Sequence, residues 1–342
     1  MSCYRGSMAR ALTKTDRFAT LDGLRGVAAI CVMLHHAQPN SPVTVSWGYL
    51  AVDLFFCLSG FVIAFTYEDR LRAGMTLGQF VSRRVIRLYP MGLVAALIGI
   101  VLWGGNANMI LLLPDFLSGG SLYPTNPPMW SLLGELLVNV AFAAFLFAAP
   151  TRRLLAATAV CGVLLAAAVI FVGTIRQMGP EWWLFLPGLA RTGFSFGTGV
   201  LLFRAWRAGG ALRRTTHLAW LPLLALPALL VFTGLDRPLF DLLAVFVVMP
   251  AIVWLGISWE LPARRLGGRL GDLSYPLYCI NMPLLACVDP ATGAGEKALI
   301  CAGLVAVALA LDRLVDRPGQ RLLRRLFPQG SRVPATASAD VN

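Results

Sequence analysis

The 342-residue sequence is short of charge: 13 % of its residues are Asp, Glu, Lys or Arg. Soluble domains carry about twice that share, so a water-soluble globular fold is excluded. Long hydrophilic blocks are absent too, which leaves no room for a separate soluble domain. Histidine is scarce, at three, and the seven cysteines lie mostly within apolar runs without a CxxC pair. That pattern suits free, buried, small hydrophobes rather than a zinc or disulfide framework, and no metal site is expected. What fills the chain is hydrocarbon, with 57 % apolar residues and a mean hydropathy of +0.70. The sequence reads as an all-α integral membrane protein.

Apolar runs recur at about 22–42, 47–67, 88–104, 129–149, 154–174, 182–203, 218–234, 239–259, 272–289 and 297–315, which predicts a bundle of about ten transmembrane helices. The net charge of +12 would suggest nucleic acid in a soluble protein, but here the location of the charge decides. Of the 29 Lys and Arg residues, 24 fall in one set of alternate connectors and tails. The other set holds only Arg176, Arg237 and Lys297, and Arg25 and Arg191 lie inside spans. The positive-inside rule then places both termini in the cytoplasm. No nucleic-acid partner is expected; the lipid bilayer is. Residues 1–320 form one membrane domain, followed at 321–342 by a tail that starts basic and ends small and polar, a composition that disfavours order. The basic flank and apolar first run resemble a signal peptide, but the run is long and contains Arg25, so it reads as an uncleaved first helix.

Ionisable groups inside such spans mark pathways or reaction centres, because a charge in hydrocarbon costs about 2.5 to 3.5 kcal/mol even on insertion scales. The first run, LDGLRGVAAICVMLHH, starts near Arg25 and ends at His35 and His36. On a helix, Arg25 and His36 lie roughly 16 Å apart along the axis and close to one face. Asp53, in the second span, falls at a similar depth to His36, so an Asp–His contact is available. Arg83, Arg84 and Arg87 interleave with apolar residues ahead of the third span and suit an interfacial helix; Arg84 and Arg87, one turn apart, read either as a topological anchor or as a phosphate clamp. The outer LLLPDFL stretch suits a short surface or re-entrant helix. Trp130, Ser131 and Glu135 open the fourth span, Arg191 reads as a buried counter-ion for Glu135 or Asp53, and the fifth, seventh and eighth spans read as packing.

Five blocks, LDGLRGVAAICVMLHH, VDLFFCLSGFVI, FVSRRVIRLYP, MWSLLGE and GDLSYPLY, together resemble the acyltransferase type-three family of integral membrane O-acyltransferases. The family modifies bacterial surface glycans and related glycosides. The resemblance implies an acyl-CoA donor, acetyl-CoA by default, a glycan or glycoside acceptor, and a place in the bacterial inner membrane. By position it implies His36 as the essential imidazole, with Asp53 and Glu135 as its catalytic partners. Arg25, Arg84 and Arg87 would hold the donor. His35, Ser59, Trp130, Ser131, Tyr275 and Asn281 would line the substrate site. Asn281 stands where members commonly carry histidine, and asparagine cannot titrate near neutrality. A second class, a transporter or flippase of a glycan or lipid-linked intermediate, also accounts for buried polar residues in a bundle, although no inverted repeat is evident.

Overall fold

The computed structural model describes residues 18–104, 106–116, 119–210, 213–232 and 236–327. Among these, ten helical rods make up the fold. α1 (Ala19–His36), α2 (Ala51–Arg72), α3 (Leu77–Trp103), α4 (Trp130–Ala141), α5 (Thr151–Val172), α6 (Phe185–Ala205) and α7 (Trp220–Val231) are followed by α8 (Arg237–Leu243) and α9 (Met249–Ser258), which one π-helical turn joins into a single rod. Then come α10 (Arg264–Leu285) and the rod of α11 (Ala294–Leu311) and α12 (Arg317–Leu326), again joined through a π turn. The class is all-α. Strand structure among the described residues is limited to a two-residue parallel ladder, β1 (Arg214–Thr215) with β2 (Trp259–Glu260), and one isolated bridge.

Some boundaries move for clear chemical reasons. α1 ends at His36, short of the expected position 42, because the segment that follows contains Pro39 and Pro42, which cannot continue it. The arginine segment is no separate interfacial helix but the start of α3, which begins at a capping box in which Thr76 Oγ1 accepts from the Gln79 amide and Gln79 Oε1 from that of Thr76. In place of the LLLPDFL helix there is one 3-10 turn, Ala107–Leu111, ended by Leu112 at φ 57°. The first residues of the C-terminal tail belong to α12; residues 1–17 and 328–342 lie outside the described residues.

Six rods are long and apolar enough to cross a membrane. The remaining four are α1, α6, α7 and α10, and three of these carry Arg25 and His36, Arg191, and Asn281. The most extensive helix pairing is α1 against α10, running parallel, with Ala19 beside Gly267, Asp22 beside Gly271 and His36 beside Asn281. A Cβ on Gly26 would overlap Leu270, so glycine is what lets the two axes approach. α2 and α6 form the second close pair, in which Gly60 and Gly199 each face a carbonyl of the other helix. α5 and α11 stand outside, with Phe171 94 % and Leu299 75 % exposed, as lipid-facing helices should be.

The connectors sort onto two ends. Where α1 begins, Arg72 and Arg204 satisfy carbonyls at Phe147 and Ala149, and Glu260 binds Arg213 and the Ala19 amide. Where α1 finishes, Trp47 donates to the Phe232 carbonyl and Lys297 to those of Pro39 and Pro290. The arginine-rich connectors gather at the first end.

Candidate active site

At the end where α1 begins, a cavity of about 480 Å³ is lined by six arginines, Arg25, Arg70, Arg83, Arg84, Arg87 and Arg324, and by one carboxylate, Glu135. α3 supplies Arg83, Arg84 and Arg87 from one and a half turns, and α1, α2 and α12 supply the others. Their availability differs. Arg84 Nη2 binds Glu135 Oε1 at 2.7 Å, and that oxygen also accepts from Ser59 Oγ at 2.6 Å. Arg87 binds Asp316 at 3.0 Å, with its guanidinium 5.0 Å over the Tyr275 ring. Arg25 and Arg83 form no hydrogen bond or ion pair among the described residues, and Nε of both Arg83 and Arg84 is buried without an acceptor. Buried guanidinium donors without acceptors fit a polyanionic ligand, which they can hold through charge-assisted bonds.

The cavity continues inward into a slot of about 50 Å³, sharing Arg25, Ser59, Glu135 and Tyr275 and reaching Ser131 and Tyr278. The Ser131 and Tyr278 hydroxyls lie 2.8 Å apart, and each is within hydrogen-bond reach of the Pro128 carbonyl, so one donates to the other and the second to the carbonyl. The Tyr278 ring meets Phe55 edge-on, 5.7 Å between centroids. Tyr275 is not free in this slot, since its hydroxyl donates to the Leu88 carbonyl.

One turn beyond Tyr278 on α10 lies Asn281, fully buried, and its Oδ1 is 2.6 Å from His36 Nδ1. Asn281 Nδ2 donates to the carbonyls of Leu277 and Tyr278, which fixes the orientation of the amide. Oδ1 can only accept, so His36 Nδ1 carries the proton and Nε2 keeps its lone pair. The half-buried His36 lines a cavity of about 180 Å³ with Met282, Leu285, Val288, Pro290 and Lys297.

Several expectations are corrected here. Asp53 does not meet His36: Arg191 binds its carboxylate at 2.9 and 2.6 Å, and both side chains are buried. At that depth a carboxylate must find a cation, and Arg191 one helix away outcompetes an imidazole. Glu135 lies with the arginines, away from His36. His35 Nδ1 bonds the Val45 carbonyl at 2.7 Å and its ring packs on Tyr49, so it braces the loop after α1. Trp130 is buried beneath the Arg191 guanidinium, 5.6 Å from it, and against Gly179. Arg191 further donates to the carbonyls of Ile175, Met178 and Tyr49. The eighth span is not pure packing, since Asp241 accepts from the Tyr49 hydroxyl, Thr174 and the Ile175 amide. Sequence reasoning missed Arg70, Arg83 and Arg324, which look like ordinary topological charges, and Lys297, counted only as an outer charge.

Six rods long and apolar enough to cross a membrane thus accompany a cationic cavity at the end where α1 begins and a tautomer-fixed histidine where it finishes. A family model described as an acyltransferase domain matches residues 18–313, and the chain belongs to that family, acyltransferase type three. Protein 2 in picA locus of Rhizobium radiobacter is 32 % identical over 45 % of this chain and 95 % of its own length. Acyltransferase MdmB of Streptomyces mycarofaciens is 26 % identical over 94 % of this chain and 97 % of its own. Exopolysaccharide production protein ExoZ of Rhizobium meliloti is 26 % identical over 86 % and 95 %. No solved structure matches the chain.

Proposed function

We propose that this protein transfers an acyl group, acetyl in the first instance, from acyl-CoA to a hydroxyl of a glycan or glycosylated acceptor. The observation that carries the reading is the pairing of unsatisfied arginine donors at one end of α1 with a His36 Nε2 lone pair at the other. Arg25, which shares the cavity with those donors, lies roughly 16 Å from His36 along that helix. Coenzyme A has a polyanionic nucleotide end and a long thin arm, and this arrangement suits both. Arg25, Arg83 and Arg84 would hold phosphate while the arm enters the slot past Ser59 and Glu135. Tyr278 and Phe55 must part to let the thioester through.

His36 Nε2 then accepts the proton of the acceptor hydroxyl as its oxygen attacks the thioester carbonyl carbon. The carbon–sulfur bond breaks, and the imidazolium returns the proton to the departing thiolate. Asn281 holds the tautomer throughout. An alternative in which His36 carries the acyl group itself would need a covalent intermediate, and the base role is the simpler one. In this reading the arginine end faces the cytoplasm, all ten rods lie in a bacterial inner membrane with both termini inside, and the His36 cavity faces outward. The concentration of basic connectors at one end supports that orientation. The relatives' names support the chemistry: one is an acyltransferase and another serves exopolysaccharide production. The test is transfer from radiolabelled acetyl-CoA by purified protein. The wild type should consume acetyl-CoA in the presence of a glycoside acceptor and a folded His36→Ala protein should not; equal transfer by both would defeat the proposal.

A further inference from the structure

Lys297 has no part in the chemistry above, yet it is the charged group in the His36 cavity. It opens α11 and is only 3 % exposed. Its ammonium donates to the carbonyls of Pro39 and Pro290, and among the described residues no carboxylate lies within ion-pair distance. A lysine ammonium has three donors and no acceptor. Two are used, which leaves one, and Lys297 is among the residues that line the cavity. A buried cation normally has a counter-charge, because desolvating it alone is costly. No carboxylate of the described residues lines this cavity; its walls are His36, Gln38, Lys297 and apolar groups such as Met282, Leu285 and Val288.

Size narrows the occupant. The cavity measures about 180 Å³, and a cavity of about 150 Å³ holds one benzene ring. One six-membered ring with a few substituents therefore fits within it. Apolar walls suit the C–H faces of a sugar, with His36 Nε2 reaching a hydroxyl.

We infer that the His36 cavity receives a single acidic sugar ring whose anionic substituent, a carboxylate or a phosphate, pairs with the Lys297 ammonium. This rests on the proposed acyl transfer and specifies its acceptor. Lys297 is thereby an acceptor-binding residue, in addition to joining the loops that contain Pro39 and Pro290.

The experiment compares methyl glucuronide and methyl glucose 6-phosphate with methyl glucoside as acceptors for acetyl-CoA. Wild-type protein should show an acceptor KM about tenfold to a hundredfold lower for an acidic sugar, the range expected of a charge-assisted bond. The carboxylate and phosphate arms distinguish which anion fits. Lys297→Met should raise the KM for the acidic sugar to that of the neutral one, and Lys297→Arg should retain part of the preference. Equal use of acidic and neutral sugars by the wild type would overturn the inference, and this comparison stands even if Lys297→Met does not fold. A proportional loss on every acceptor in Lys297→Met would reduce Lys297 to a loop tether. Failure of the wild type to consume acetyl-CoA with any acceptor would instead remove the underlying acyl transfer.

Discussion

The two ends of α1 solve recognition by opposite means. The arginine end is wide, with six cations around about 480 Å³ and several donors that lack acceptors. The histidine end is small, at about 180 Å³, with one cation and one imidazole whose tautomer is fixed by a neutral amide. A cluster of guanidinium groups attracts a flexible polyanion without demanding one pose. A single lone pair does demand one. The contrast suggests that affinity is concentrated at the first end and geometry at the second.

That contrast can be broken most sharply at His36. His36→Ala should lower the transfer rate by about 10² to 10⁴, the usual contribution of a general base, with the acyl-CoA KM little changed. The second largest effect falls outside both cavities. Asp53→Ala leaves Arg191 buried without its counter-ion and should destabilise the protein by about 3–5 kcal/mol, read as a lower thermal midpoint in detergent. If Asp53→Ala folded normally and lost only catalysis, the separation of Asp53 from the reaction centre would fail. Asn281→Leu should cost roughly tenfold in rate by freeing the ring to take the other tautomer, whereas Asn281→Asp, which still accepts from Nδ1, should retain most of it. A loss equal in both would show that the amide serves some other purpose. At the arginine end, Arg83→Ala should raise the acyl-CoA KM about threefold to tenfold, and it should do so at least as much as Arg87→Ala, because Arg87 already has Asp316. A larger effect on acceptor KM than on donor KM would reverse the assignment of the two ends.

How far the sequence could be read depends on how local each relation is. Arg25 and His36 lie on one helix, so their spacing is visible as periodicity. The basic connectors were visible as a count along the chain, and the structure gathers them at one end. Pairings between distant segments were not visible. Asp53 and Arg191 are 138 residues apart, and His36 and Asn281 are 245 apart. Matching depth made Asp53 a reasonable neighbour for His36, but depth leaves the azimuth open, and azimuth gave Asp53 to Arg191. Arg83 and Arg324 were hidden by their resemblance to ordinary anchoring charges. Lys297 was hidden because proline carbonyls from two loops enclose it, and nothing in its neighbouring residues signals that.

The parallel seam of α1 and α10, closed by Gly26 against Leu270, leaves neither helix free to slide or turn alone. Inserting one residue between Arg25 and His36 would advance the imidazole by about 1.5 Å and swing it by about 100°. It would leave Asn281 and point into lipid or another helix, while α5 and α11, bordered by lipid, have no such register to lose. The spacing of ten residues between Arg25 and His36 is therefore a length standard cut into the protein, and indels within it should be far less tolerated than substitutions on either side.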